Sequence, residues 1–317
     1  MKLGCFSVDG APTMAVSFEG QWICLDDLPV APSLSGDMIA ILDAWPQVQP
    51  IIASALKQGQ GRPLPTRATP RLPFAPASLR DFMLSETHAV DAARGMVKRF
   101  MPKVAPFPRI YEKITGKVFP AFKPKPIWYR QPVYYFGNHL NMVTDGAVVP
   151  WPDYTTALDY ELELAFVITR SLYNATAEEA LSAVGGFLIL NDFSARDKQL
   201  EEMRSGFGPQ KSKHFINALS HTVATAGDIL PQVDQLKGEV RINGRPVCTT
   251  STAGMQHTIA DVLAHVSRSE HLHPGELFGL GTLPGGCGME NGHWLRRGDR
   301  IELAIDAVGS LGNTIAE

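Results

Sequence analysis

The sequence predicts a mainly β protein with some α-helix, arranged as a small β-rich module over residues 1–75 and a larger domain over residues 76–317. Three observations lead there. The run Tyr160-Glu161-Leu162-Glu163-Leu164-Ala165-Phe166 alternates with the period of a strand. Residues 240–242 run into Asn243-Gly244, the dipeptide that favours a two-residue hairpin turn. Near the start, residues 3–6, 14–18 and 21–25 are short strand candidates parted by turns.

The elements follow in order. Residues 35–57 are expected to form a helix broken near Pro46 and Pro50, and residues 59–76, rich in proline and polar side chains, a linker into a strand or loop. From Tyr129 onward β structure dominates. Residues 148–152 mark an extended edge, 161–168 a central strand, 177–184 a short helix and 186–190 a buried strand. A further helix starts at Thr258, where Asp261 three residues on completes a capping box and Ile259, Val262, Leu263 and Val266 form one apolar stripe. Residues 300–304 close the chain with another alternating strand.

Composition narrows the function. The chain has 317 residues, 44% of them hydrophobic and 19% charged, with a formal net charge of -3. That balance favours neither a nucleic-acid partner nor a membrane surface. Cys5, Cys24, Cys248 and Cys287 lie far apart without zinc-site spacing, so a reducing compartment is expected. With no signal-like start and no apolar run near the roughly 20 residues of a membrane span, the cytoplasm is the expected location. One segment stands out: between Arg94 and Arg130, ten basic residues face one acid, Glu112. It reads either as a solvated cover or as a basic rim attracting an anionic substrate.

The chemistry concentrates in carboxylates. Period two sets Glu161 and Glu163 on one face of a half-buried strand, where they repel each other and lose hydration. A cation or a shared proton would offset that cost; a solvated sheet face is the plain alternative. Asn191-Asp192 ends an apolar run, and Asp81 opens Asp-Phe-Met-Leu-Ser-Glu-Thr-His, seven residues before His88. Asp81 reads alone as a helix cap, and with Glu161, Glu163 and Asp192 as the fourth acid of an oxygen-ligand site suited to Mg²⁺, Mn²⁺ or Ca²⁺. Lys213 is a cation able to offset part of that charge.

These pieces, Glu161-Leu162-Glu163, the block Asn191-Asp192-Phe193-Ser194-Ala195-Arg196-Asp197 and Gly281-Thr282, resemble the fumarylacetoacetate hydrolase family over approximately residues 79–315. The resemblance implies a mixed β-sandwich or roll catalytic domain, a divalent metal held by Asp81, Glu161, Glu163 and Asp192, and Mg²⁺ as the first expectation, ahead of Mn²⁺ or Ca²⁺. It matches His88 to a water-activating histidine and Glu290 to its orienting carboxylate, with Glu86 the alternative. Lys213 matches the active-site lysine, a two-residue slip bringing Lys211 instead. Tyr135, Arg196, Gln199 and Thr282 match substrate-binding positions. Asn138 stands where an arginine is usual, and Met83 and Met203 replace tyrosines. Cys287 is expected to be a residue of a glycine-rich loop, not a nucleophile.

The implied activity is hydrolysis of the C–C bond of a 1,3-diketone or acylpyruvate-type oxoacid, similar to fumarylacetoacetate or fumarylpyruvate. Oxaloacetate decarboxylation, isomerisation of 2-hydroxyhepta-2,4-diene-1,7-dioate and non-catalytic oxoacid binding are the alternatives. The expected partners are a small oxoacid or diketone substrate and a second copy in a homodimer.

Overall fold

A computed structural model describes residues 1–317. Strands β1 (Lys2–Val8), β2 (Ala11–Phe18) and β3 (Gln21–Cys24) form a meander. Asp9-Gly10 and Glu19-Gly20 turn it with positive φ at both residues of each pair. Helix α1 (Met38–Asp43) is capped by Asp37, whose carboxylate accepts from the N–H groups of Ile39 and Ala40. Helix α2 (Trp45–Lys57) follows at once. The break therefore falls at Ala44, not at either proline. Pro46 occupies the first turn, where its missing N–H is not needed, and Pro50 is carried inside α2 without ending it.

Strand β4 (Ser78–Phe82) leads into helix α3 (Glu86–Phe100), capped by Ser85, which accepts from the His88 N–H. Asp81 thus lies in a strand and is not the cap of this helix. Helix α4 (Pro106–Thr115) is tied back to α3 by Arg94, which pairs with both Asp91 and Glu112. Strands β5 (Tyr134–Gly137), β6 (Glu161–Ile168) and β7 (Val184–Asn191), helix α5 (Arg196–Arg204) and strand β8 (Thr222–Thr225) come next. The hairpin of β9 (Lys237–Ile242) and β10 (Arg245–Ser251) turns at Asn243-Gly244 as expected. Helix α6 (Ile259–Val266) has the Thr258/Asp261 capping box, and β11 (Glu276–Cys287), β12 (Arg300–Ile305) and β13 (Gly309–Ile315) complete the chain.

The large sheet runs β3-β2-β1-β8-β7-β6-β11-β4-β5, and a second sheet runs β10-β9-β12-β13 with Val148–Val149 at its edge. More strand than helix, in several sheets, agrees with the predicted class. Strand β6 is central, antiparallel to β7 on one side and to β11 on the other. It is buried on both faces, not half-buried. Leu162, Leu164, Phe166 and Ile168 enter one apolar cluster with β12 and α6. Ala165 and Val167, on the face that carries Glu161 and Glu163, enter another with Leu3, Val16, Ile41 and Ile52. A solvated sheet face is thereby excluded.

The glycine-rich stretch 284–288 is not a free loop, because β11 continues to Cys287. Its register explains the glycines: Glu163 lies opposite Thr282 and Glu161 opposite Cys287, so two steps along β6 face five along β11. The surplus bulges out, with Gly285 at φ +76°. All four cysteines are free thiols. No helix is long and apolar enough to cross a membrane.

Candidate active site

Three neighbouring elements bring the acids together. Asp81 comes from β4, Glu163 from β6 and Asp192 from the residue after β7. One oxygen of each lies within 4.8 Å of the others. Between β4 and β6 runs β11, and at the crossing stands Gly279, paired with Asp81 on one side and Ala165 on the other. A β-carbon there would lie 2.5 Å from Asp81 Oδ1 and 2.9 Å from Glu163 Oε2. The absent side chain is what lets the two carboxylates lean across the strand toward each other.

Those same two oxygens, Asp81 Oδ1 and Glu163 Oε2, are buried and have no hydrogen-bond partner. Burial pushes both carboxyls well above the usual carboxylate range, the Asp192 charge adding to it for Asp81 and the Asp81 charge for Glu163. Asp192 is raised as well, by burial, with Lys213 acting against it. Tyr135 donates its hydroxyl to Asp192 Oδ2 at 2.7 Å, and the Asn217 amide, turned to donate, reaches Asp192 Oδ1 at 2.9 Å. Hard oxygen donors converging with two unsatisfied atoms are the donor set that a divalent cation such as Mg²⁺ or Mn²⁺ takes. The residues fit the group.

Glu161 stands apart from that trio. Arg196 donates to its Oε1 at 2.7 Å, and Lys213 Nζ bridges its Oε2 to Asp192 Oδ2. Burial alone would raise Glu161, but the charges of Arg196 and Lys213 outweigh it and hold the carboxyl below the usual range. Lys213 in turn is lowered by burial and raised more by Asp192 and Glu161, so the net shift is upward. Glu161 thus connects to Asp192, and through it to the trio, by a buried ammonium. Lys211, the alternative, is exposed and lies over the Tyr154 ring.

A second constellation adjoins the first. His88, in the first turn of α3, places Nδ1 2.9 Å from Glu290 Oε2. Glu290 is fixed from two further sides: Gly285 N–H donates to its Oε1 at 2.9 Å and the Cys287 thiol to its Oε2 at 3.1 Å. Glu86 is instead engaged by the Tyr129 hydroxyl at 2.6 Å, which leaves Glu290 as the partner of the histidine.

A cavity of about 580 Å³ joins the two constellations. Asp81, His88, Tyr135, Glu161, Glu163, Arg196, Gln199, Lys213 and Thr282 all line it, while Asp192 and Glu290 stand just behind. Met83 and Met203 also line it. Asn138 does not; its amide is spent on the His214 carbonyl and the Leu140 N–H. Of the expected substrate contacts, Tyr135 and Arg196 are committed within the protein. The Arg196 guanidinium is 1% exposed and bound to Asp159, Glu161 and Gln199. Gln199 keeps its amide nitrogen, and Thr282 its hydroxyl, without a protein partner. None of the ten basic residues of 94–130 lines this cavity; Arg94, Lys98 and Arg99 line a separate one. Those three side chains therefore do not meet a ligand in this cavity directly.

The sequence reading missed Asp159. It is fully buried and accepts from Arg196 Nε at 2.8 Å and from the N–H groups of Gly288 and Met289. It thereby fixes both the arginine that holds Glu161 and the turn that carries Glu290. The signal was present, because the period-two row Glu161, Glu163 begins one step earlier at Asp159.

The model of the fumarylacetoacetate hydrolase C-terminal domain matches residues 111–316, which leaves Asp81 and His88 ahead of the match. The oxaloacetate tautomerase YisK of Bacillus subtilis is 33% identical over 168 residues, covering 51% of this chain and 53% of that protein. A mitochondrial oxaloacetate tautomerase, fahd2 of Xenopus laevis, is 30% identical over 165 residues, covering 52% and 51%. The chain thus spans about half the length of these curated relatives. Among solved structures, a fumarylacetoacetate hydrolase of Exiguobacterium antarcticum superposes with a TM-score of 0.71 at 22% identity, over 100% of this chain and 99% of that one. Maleylpyruvate hydrolase of Sphingobium sp. SYK-6, in complex with manganese(II) and pyruvate, gives 0.68 at 17% identity, over 100% and 99%. At these identities the superpositions establish a shared fold.

Proposed function

The chain belongs to the fumarylacetoacetate hydrolase family, and from that premise we propose that it is a divalent-metal-dependent hydrolase of the C–C bond in a 1,3-diketone or acylpyruvate-type oxoacid. One observation carries the choice of hydrolysis: His88, paired with Glu290 at 2.9 Å, opens onto the same cavity as the carboxylate cluster. Asp81, Glu163 and Asp192 would hold the cation, with Glu161 beside them. When bound, it supplies Lewis-acid polarisation of the substrate oxygens.

The chain's own groups do the rest. With its Nδ1–H held in a hydrogen bond to Glu290, neutral His88 presents Nε2 as a base toward the cavity. It takes a proton from water as the oxygen adds to the acyl carbonyl carbon. The C–C bond then breaks, its electron pair passing into the enolate of the departing fragment, which recovers a proton from the imidazolium. Lys213 and the free Gln199 amide are placed to stabilise developing oxyanion charge. A carboxylic acid and a ketone or 2-oxoacid result.

A second reading, keto–enol tautomerisation of oxaloacetate, is favoured by the names of the two relatives above. It requires His88 to move a proton between carbon and oxygen with no water added. Incubation with acylpyruvates in H₂¹⁸O, with and without Mg²⁺ or Mn²⁺, separates the two by mass spectrometry. Two fragments, with ¹⁸O in the acid, support hydrolysis. Intact acylpyruvate together with accelerated decay of enol oxaloacetate overturns it in favour of the tautomerase.

A further inference from the structure

We propose that the cavity selects an oxoacid whose far end is an uncharged apolar chain and not a second carboxylate. The proposal rests on the oxoacid reading above and extends it by naming the substrate class.

Two helices give the cavity its polarity. Both begin at the carboxylates and run away from them. On α3, His88, Ala92 and Met96 line the wall at four-residue steps, so Met96 lies about 12 Å further along the axis than His88. On α5 the wall passes from Arg196 and Gln199 to Leu200 and then Met203, about 10 Å beyond Arg196. Met83, two residues past Asp81, and Phe207, from the turn after α5, extend the same apolar surface. One pole is therefore charged and hydrogen-bonding, the other apolar.

The charges are fully assigned at the first pole. The only lysine or arginine side chains lining the cavity are Arg196 and Lys213. Arg196 is taken by Asp159, Glu161 and Gln199, and Lys213 by Glu161 and Asp192. No further cation lines the cavity to meet a carboxylate at the far end, and Arg204, next to Met203, is turned to Met101 Sδ at 3.9 Å. Arg94, Lys98 and Arg99, although on α3, line the separate cavity behind Met289 and Glu290. A terminal carboxylate would lie against methionines and lose part of its hydration with no charged partner among the lining residues, which disfavours it. An alkyl or aryl tail meets the opposite situation. Met203 is 53% exposed and Phe207 84% exposed, so both have apolar surface left to bury against it.

The test uses simple 2-oxoacids, which have no 1,3-dicarbonyl bond to cleave, so it reads binding without turnover. Calorimetry on the Mn²⁺-loaded wild-type protein would compare 2-oxooctanoate with 2-oxooctanedioate, which differ only at the far end. The monoacid is expected to bind at least tenfold more tightly, and affinity to rise about fourfold per methylene from 2-oxobutanoate upward. Met203→Arg, a change at an exposed wall position, is expected to narrow or reverse the preference. Equal or tighter binding of the dioate by wild type overturns the proposal, as does binding of neither ligand. If the monoacid preference holds while acylpyruvates stay intact, only the hydrolase reading fails. If acylpyruvates are cleaved but the dioate is preferred, only this inference fails.

Discussion

Gly279→Ala is the sharpest single-atom probe of the carboxylate cluster. Its backbone is one that alanine can adopt, since its φ lies outside the positive range, so the added methyl acts by space alone. That methyl would sit 2.5 Å from Asp81 Oδ1 and 2.9 Å from Glu163 Oε2. An ordinary carbon–oxygen contact needs about 3.4 Å or more, so the two oxygens must retreat by roughly 0.5–0.9 Å. Metal–ligand distances tolerate only about ±0.2 Å. Two of the three converging ligands would therefore leave range, and Mn²⁺ affinity should fall by about 10–100-fold, an effect as large as losing a supporting residue of a metal site. Overpacking at this crossing should also lower stability by about 1–3 kcal/mol. Calorimetric Mn²⁺ titration and urea unfolding of the metal-free protein measure the two separately. Mn²⁺ affinity within threefold of wild type in a folded Gly279→Ala protein would refute the assignment of the site to Asp81 and Glu163.

Other outcomes follow from the same geometry. His88→Ala should reduce kcat by about 10²–10⁴-fold while leaving Mn²⁺ binding unchanged; steady-state kinetics with a parallel titration checks both halves. Arg196→Met leaves Asp159 and Glu161 buried without their shared cation, and urea unfolding should show a loss of about 3–5 kcal/mol; a loss under 1 kcal/mol would contradict the pairing. Chelation exposes a pH dependence. Asp81, Glu163 and Asp192 bind protons more tightly folded than unfolded. Their favourable contribution is complete below the ordinary carboxylate pKa of about 4 and is lost as pH rises toward the raised folded values. Glu161 is shifted the other way, so its contribution is already complete above that range and does not oppose the trend. The Tm of chelated protein should accordingly fall as pH rises above about 4, and saturating Mn²⁺ should flatten the slope; a chelated Tm that does not fall with rising pH would show the trio is not proton-linked.

The sequence was most readable where one short segment determines its own structure. The alternation of 161–168, the Asn243-Gly244 turn and the Thr258/Asp261 box each contain their own cause, and each appears as expected. What lay hidden depends on partners distant in the chain. Strand β6 was read as half-buried because nothing in it shows that residues 3–52 cover the carboxylate face. Residues 284–287 were read as a loop because a bulged strand and a loop share the same glycines; only pairing with β6 distinguishes them. Asp81 looked like a cap because its pairing with Gly279 spans nearly the whole domain. Motif resemblance pointed to the four acids, His88 and Lys213, which the fold gathers around one cavity, whereas the commitment of Tyr135 and Arg196 to Asp192, Asp159 and Glu161 emerges only from three-dimensional packing.

Along β6, a single face carries Glu161 and Glu163 at one end and Ala165 and Val167 at the other, the latter packed with Leu3, Val16, Ile41 and Ile52. The strand acts as a beam with the site at its tip and its anchorage in the first sixty residues. Altering the volume of that anchorage, for example by Ile52→Val, is expected to loosen the hold on the tip without touching any group that lines the cavity. Directed evolution of this chain for temperature or rate therefore has a second place to search, well outside the cavity, where small apolar exchanges tune the stiffness of the carboxylate platform.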